Sequence, residues 1–202
     1  MLDLLDELSG DRLSLEDYLS DYSLRLPGVQ EEGSWKLERE QAFVEPGNVS
    51  WEAFTRGEWD ASARFAEERR QSLRDSVSQS AAQGFVNSRV RIVEKPFSPY
   101  LHWELNMLRI RAECGELIRV LDASAVASLE VETPLPEIVT LGADTVYRVL
   151  YEDGAVVGAI RTIDPALALR WREFIQDLYR SGEEVGKYFS REVAGLEPPH
   201  FF

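Results

Sequence analysis

The sequence predicts an α+β domain whose mixed sheet is built on one βαβ unit at about residues 89–122. Three observations support this fold class. A strand, a helix and a second strand follow one another so closely in this stretch that a parallel pair with a crossover helix is the simplest arrangement. Short strand-like segments at about residues 137–163 then indicate an antiparallel meander that extends the sheet. An amphipathic helix after the meander has the apolar stripe that packing on a sheet requires.

The composition predicts one globular domain with extensions at both ends. Of 202 residues, 44% are hydrophobic and 29% are charged, which is typical of globular proteins. The formal net charge of −14 argues against non-specific binding to nucleic acid or to an anionic membrane, because both need a basic protein surface. We therefore expect partners of neither kind.

Disulfides, metal sites and export signals are not expected. The chain has a single cysteine, Cys114, and two histidines, which cannot supply an internal disulfide or a credible set of metal ligands. The first ten residues are acidic where a signal peptide would be basic, and no apolar run approaches the ~18 residues of a membrane span. These features favour a cytoplasmic protein without a cofactor.

Residues 1–34 are predicted to form an acidic helical extension. They contain nine acidic and two basic residues, so half of the net charge lies here. Leucines recur at near-helical spacing between Leu2 and Leu8, and Ser14 is followed by acidic residues, as at the start of a capped helix. The extension is either a solvated surface segment or an arm that docks on a partner or on the domain itself.

A single α+β domain is predicted over residues 35–182. It opens with an extended segment from Trp35 to Val44, in which apolar and charged residues alternate loosely. A short helix then begins at Ser50. A second capping residue, Asp60, is expected to start one long polar helix that runs to about Ala82.

The helix of the βαβ unit, at residues 98–113, has an unusual distribution of side chains. Ser98 is its predicted cap, and Gly115 ends it. At 100° per residue, one apolar face contains Tyr100, Trp103, Met107, Ile110 and Cys114, and the other contains Leu101, Leu105, Leu108 and Ala112. A helix that is apolar on two sides is expected to lie between two layers. His102 belongs to its broad polar side, which we expect to face water.

A narrow polar line of Tyr100, Glu104 and Arg111 runs between the two apolar faces, so it must be buried or line a crevice. An unpaired buried carboxylate is costly, and Glu104 therefore needs a cation. One interpretation is a structural ion pair between Glu104 and an arginine, with Tyr100 adding a hydrogen bond. The other is a small polar pocket in which Glu104 acts as a base or binds a cationic group, joined by Arg119 or Arg148.

Beyond this unit the sequence predicts the meander, a last helix and a tail. The expected strands are residues 137–141, 145–151 and 156–163. Asp164 is the predicted cap of a helix that packs its apolar stripe on the sheet. Residues 183–202 are predicted to be a C-terminal tail, in which Phe201 and Phe202 dock on the body or on a second copy.

Three segments together resemble a known family. They are SWKLEREQAFVEPGNVSWEAFTRGEW from Ser34, RVRIVEKPFSPYLHWELNMLRIRAECGELIRV from Arg89, and DTVYRVLYEDGAVVGAIRTIDPAL from Asp144. In order and spacing they resemble functionally uncharacterised actinobacterial proteins that are commonly encoded near helix-turn-helix regulators of the xenobiotic-response type. The resemblance covers about residues 33–182. It implies a bacterial cytoplasmic protein of a regulatory or specialised-metabolism locus, and it transfers no catalytic residue.

Three hypotheses about function follow. The leading one is a binding or regulatory module that acts through a protein partner, since the sequence contains no phosphate loop, nucleophile elbow or carboxylate metal motif. The rival is a small-molecule-binding protein or an enzyme of specialised metabolism, with its pocket at the helix of residues 98–113. Membership of an immunity or toxin pair is a third hypothesis that rests on gene neighbourhood alone. A homodimer is compatible with each of them, and a non-enzymatic role is favoured.

Overall fold

The computed structural model describes Leu4 and residues 7–199, which form a mixed eight-stranded sheet with helices on both faces. The elements in chain order are β1 (Asp11–Ser14), α1 (Leu15–Arg25), β2 (Ser34–Glu38), α2 (Val49–Thr55), α3 (Trp59–Glu68), α4 (Arg70–Ala82), β3 (Asn87–Val93), α5 (Pro99–Glu113), β4 (Leu117–Asp122), β5 (Ile138–Leu141), β6 (Thr145–Glu152), β7 (Ala155–Ile163), α6 (Pro165–Ser181), β8 (Glu183–Glu184) and α7 (Val185–Glu192). The strand order is β1-β7-β6-β5-β2-β3-β4-β8. Within the described residues, no helix has both the length and the apolarity to span a bilayer.

The predicted fold class is confirmed. β3 and β4 are parallel and joined by α5, and β5, β6 and β7 form the antiparallel meander. The Ser98 hydroxyl caps α5 by accepting the Leu101 N–H at 3.0 Å. Gly115, at a φ of 114°, follows the helix, where a side chain would be strained.

β2 adds a third parallel strand beside β3, and β5 pairs with its other edge. The strand ends at Glu38, whereas the sequence predicted an extended segment as far as Val44. The reason is a change of hydrogen-bond partner. The backbone N–H groups of Arg39 and Glu40 both donate to the carboxylate of Glu137, so they are not available to a β-ladder.

The two faces of the sheet differ in what covers them. α6 packs its predicted stripe on one face, where fully buried Trp171 belongs to the same apolar cluster as Leu37, Val90 and Ile92. α1 and α5 cover much of the other face. α5 has the two apolar sides that the sequence predicted: one packs in an aromatic cluster with α2–α4, and the other packs against β4 and α7. The helix is therefore a wedge between two layers.

Two predictions about the helices on this side were wrong. The expected long polar helix is broken at Arg69 into α3 and α4, and it begins at Trp59 rather than after Asp60. The break brings Ala66 and Leu73 into one apolar cluster under α5. His102 does not face water, because it is 7% exposed with its ring centroid 5.3 Å from that of Trp59.

The N-terminal extension is helical but also supplies a strand. Ser14 caps α1 as expected, while β1 pairs antiparallel with β7 at one edge of the sheet. Two glycines permit this close approach. A Cβ at Gly10 would lie 2.0 Å from the carbonyl oxygen of Arg161, and one at Gly158 would lie 2.0 Å from that of Leu13. The helix expected over the first leucines falls mostly outside the described residues.

The segment predicted to be a tail contains β8 and α7. β8 pairs with β4 at the edge of the sheet opposite β1. On α7, Val185 and Tyr188 are each 1% exposed, and the Tyr188 hydroxyl donates to Asp122 at 2.8 Å. Apolar residues at i, i+3 and i+4 were visible in the sequence here, but only α5 and β4 give them a surface to pack on. Phe201 and Phe202 lie outside the described residues.

Candidate functional site

Two neighbouring strands at the centre of the sheet carry polar and charged side chains on one face. We call these six residues the polar stripe: Ser34, Lys36 and Glu38 on β2, and Asn87, Arg89 and Arg91 on β3. They alternate with the apolar residues that face α6 and stand side by side in pairs across the two strands. Central parallel strands are normally apolar on both faces, so the stripe is an exception that calls for a cause.

Glu38 holds two cations of the polar stripe. Its carboxylate accepts from Lys36 Nζ at 2.5 Å and from Arg89 Nη1 at 2.8 Å, and its side chain is only 4% exposed. Burial alone would raise the pKa of Glu38, but the Arg89 guanidinium and the Lys36 ammonium outweigh it, and the pKa lies below the ordinary value. Glu38 is therefore an anion that fixes both cations on this face.

An ion pair between Arg91 and Glu104 joins the polar stripe to α5. Arg91 is fully buried, and its Nε donates to Glu104 Oε2 at 2.7 Å. Arg91 Nη1 donates to the Ile92 carbonyl at 3.1 Å, but Nη2 is buried without a hydrogen bond in the described structure. Burial and the nearby Glu38 carboxylate raise the pKa of Glu104, against the opposing effect of Arg91. An ion pair of Glu104 with an arginine is thus present, and its partner is Arg91.

The other two residues of the predicted line flank this pair. The Tyr100 hydroxyl lies 3.3 Å from Glu104 Oε1 and 2.8 Å from Glu45 Oε1. With one proton to donate, it serves chiefly the shorter contact. Arg111 forms two bonds with Glu116, at 2.9 Å from Nε and 2.7 Å from Nη2. Arg111 therefore lies along the same helix without bonding Glu104.

Three adjoining cavities lie over the polar stripe, and both Arg89 and Arg111 line all of them. The largest, about 450 Å³, has aromatic walls that include Phe43, Tyr100 and Tyr151. The second, about 280 Å³, lies under α1 and is lined by Tyr18, Tyr22, Ser34, Ser76 and Asn87 among others. The third, about 80 Å³, adjoins Trp103. We call the three together the stripe cleft, which is of the size that small-molecule sites occupy.

Arg89 has donors that the protein does not use. Its one guanidinium hydrogen bond to a described residue goes from Nη1 to Glu38. Its Nε and Nη2 atoms make no hydrogen bond to a described residue, and they are not sealed inside the protein. The side chain lines each of the three cavities. The remaining N–H groups thus open into the stripe cleft, in the fork that suits a carboxylate or phosphate.

The structure brings three of the five sequence-predicted site residues together. Tyr100, Glu104 and Arg111 all line the stripe cleft. Arg119 instead donates to the Gly182 carbonyl at 3.0 Å, with its guanidinium carbon 4.9 Å from the Tyr179 ring centroid. Arg148 stands opposite Ile138 on the α6 side of the sheet. Strand alternation separates these two arginines from the cleft, because their neighbours in sequence face the other way.

Four charged residues of the polar stripe were missed from the sequence: Lys36, Glu38, Arg89 and Arg91. A signal was present. Arg89 and Arg91 alternate with apolar residues on a strand of the βαβ unit, and such a strand is expected to be covered on both faces. Charges in alternation there could not face open water, so they pointed to an internal site.

The residues that line the stripe cleft determine which chemical groups it presents. Its cations are fixed by acids, and its walls carry hydroxyl and aromatic groups. Across the part of the chain that the structure describes, no three His, Cys, Asp or Glu side chains are grouped to hold a metal ion. Serine lines the cleft at three positions, Ser34, Ser76 and Ser88, but His102, the histidine that the structure describes, lines none of its three cavities. A ligand in the cleft would therefore contact charged, hydroxyl and aromatic groups.

The comparisons with known proteins yield one match. A family model described as a domain of unknown function, DUF6879, matches residues 25–190. No curated protein and no solved structure matches the chain. The matched residues include the whole polar stripe and α5. They begin at the last residue of α1, so Tyr18 and Tyr22 precede the match.

Proposed function

We propose, from the premise that the chain belongs to the DUF6879 family, that it is a binding module whose stripe cleft holds a small organic anion. A carboxylate or phosphate of the ligand occupies the open edge of Arg89 while Glu38 keeps the other edge. Lys36, 30% exposed, adds a second positive charge beside it. The observation that carries the proposal is the unused guanidinium edge of Arg89 at the meeting point of three cavities.

Stability does not account for the polar stripe. Burying ion pairs costs desolvation that the pairs barely recover, and replacing them by apolar side chains is often neutral or stabilising. The α6 face of the same strands is covered by an apolar cluster and needs no such charges. Binding of an anionic ligand would explain why Lys36, Arg89 and Arg91 are charged on this face.

A change of one arginine tests this proposal. Arg89→Met is expected to weaken binding of inorganic phosphate, measured by isothermal titration calorimetry, at least about tenfold, because a charge-assisted hydrogen bond contributes roughly 1.5–3 kcal/mol. Arg89→Lys, which keeps the charge but loses the fork, should fall between the two. Arg64→Met is the matched control, since Arg64 is 63% exposed and its pair with Glu68 is loose at 3.8 Å.

Two results would defeat the proposal. One is a wild-type protein that binds neither phosphate nor acetate. The other is an Arg89→Met variant that binds phosphate as tightly as the Arg64→Met control does.

A protein partner is the second candidate function, and the surface of α1 favours it. No residue of α1 is fully buried, and its leucines Leu19 and Leu24 are 55% and 78% exposed on an acidic segment. We propose that a partner with an apolar, basic surface docks there, as in a bacterial cytoplasmic regulatory or specialised-metabolism system of the kind the family resemblance implies. Capture of the same partner by wild-type protein and not by Leu24→Glu supports it. A solitary monomer with no captured partner in host extract counts against it.

A further inference from the structure

We infer that the ligand of the stripe cleft is an aromatic anion, and that α1 supplies the wall on which its ring rests. This inference depends on the proposed function, because it takes the anion at Arg89 as given. It adds the chemical class of the remainder of the ligand and the residues that select it, Tyr18 and Tyr22.

Aromatic side chains flank the cations of the polar stripe on both sides. Tyr18 and Tyr22 line the cavity under α1, with ring centroids 6.4 Å apart. Phe43 and Tyr151 line the other large cavity and stack on each other at 4.8 Å. A planar ring packs well on such walls, and an anion attached to it would lie over Arg89 and Lys36. An aliphatic anion would make no use of this arrangement.

The cavity under α1 is the better place for the ring. On the other side, Tyr100 stands edge-on to Phe43 at 5.3 Å, and its hydroxyl already donates to Glu45. The Tyr18 hydroxyl, by contrast, makes no hydrogen bond to any described residue and is not enclosed. Ser76 and Asn87 add polar groups to the same cavity. A ring with hydrogen-bonding substituents fits these surroundings.

The α1 wall is held in place from one side by a polar hub. Asp21 accepts from Arg25 Nε at 3.0 Å, from Arg161 Nη1 at 2.6 Å and from the Tyr147 hydroxyl at 2.7 Å. The Tyr147 ring in turn lies 5.0 Å from that of Tyr18. The hub therefore fixes the tyrosines over the cleft although α1 buries no residue completely.

The wall and the anion site also come from different parts of the chain. The family match starts at residue 25, after Tyr18 and Tyr22, and includes Arg89. A segment that precedes the matched domain thus completes its cleft. We conclude that the domain provides the anion site and that the preceding segment provides the choice of ring.

Two probes separate the ring from the anion: inorganic phosphate and phenyl phosphate. Wild-type protein is expected to bind phenyl phosphate about tenfold more tightly than phosphate, from one ring stacked on an aromatic wall. Tyr18→Leu keeps apolar bulk but removes the ring, and it should reduce this preference about fivefold while phosphate binding stays within about twofold. Tyr22→Leu should act in the same direction. Tyr179→Leu is the control, because Tyr179 packs on Trp35 on the opposite face of the sheet.

Each outcome of this experiment is decisive. Equal affinity of the wild-type protein for the two probes refutes the aromatic ligand while leaving the anion site intact. An undiminished preference in both Tyr18→Leu and Tyr22→Leu refutes the role of α1. Failure of both probes to bind refutes the proposed function itself, and the inference with it. Circular dichroism of each variant confirms that the fold is retained before binding is compared.

Discussion

Replacing Glu104 by glutamine is expected to destabilise the protein by about 3 kcal/mol, because Arg91 is then left as a buried charge without its partner. Arg91 is fully buried, and its Nε lies 2.7 Å from Glu104 Oε2. Breaking a buried pair costs roughly 3–5 kcal/mol. The lower end applies because the new amide oxygen can still accept from Nε. With a denaturant slope of about 2 kcal/mol per molar urea, the midpoint should fall by about 1.5 M.

Urea unfolding followed by tryptophan fluorescence measures this shift, since Trp103 lies on the same helix. Glu113→Gln is the matched control: it removes a charge from α5 at a site 43% exposed, where the loss should stay below about 1 kcal/mol. The double variant Arg91→Met with Glu104→Leu should recover most of the stability, because no charge is left unpaired. Equal losses in Glu104→Gln and Glu113→Gln, or strictly additive losses in the double variant, would falsify this account.

Two further predictions concern Glu137 and Gly10. Burial and the Glu38 carboxylate raise the pKa of Glu137 from 4.5 to about 7. The protonated Glu137 side chain therefore stabilises the fold fully below about pH 4.5, and this stabilisation is lost as the pH rises through 7. The free energy of unfolding should fall by about 3 kcal/mol over this range. Glu137→Gln should flatten urea-unfolding stability between those pH values, and an unchanged slope would contradict it. Gly10→Ala places a Cβ 2.0 Å from the Arg161 carbonyl oxygen and should displace β1. Hydrogen–deuterium exchange should then be faster at the amides of residues 11–14, while the exchange rates of the β3 amides stay unchanged. If those amides keep their protection, the contact is not as close as described.

Local sequence patterns sufficed for the centre of the fold. The Ser98 cap and the angular positions of apolar residues determined both the limits of α5 and its two buried sides, because these depend on helix geometry alone. The edge strands were missed for the opposite reason. Asp11–Ser14 and Glu183–Glu184 are too short to show alternation, and they are strands only because β7 and β4 offer them an edge.

The candidate site was found through one helix and completed by a strand that the sequence did not single out. Tyr100, Glu104 and Arg111 emerged because a polar line between two apolar faces has to be internal. That Glu104 pairs with Arg91 depends on how α5 crosses β3, which no local pattern encodes. Side chains alternate between the two faces along a strand. Because Ile118 and Val120 pack against α5 and α7, Arg119 between them faces the α6 side.

The positions of β1 and β8 at opposite edges of one sheet have a consequence for the solubility of the protein. Each end of the chain shields a row of backbone N–H and C=O groups that would otherwise be a template for edge-to-edge aggregation. The residues that match the family model keep β8 but omit β1. A fragment cut to those limits would bare the nine-residue strand β7 along its whole outer edge. β1 thus replaces a long exposed edge by one of four residues, and short edge strands are poor templates for pairing with another copy.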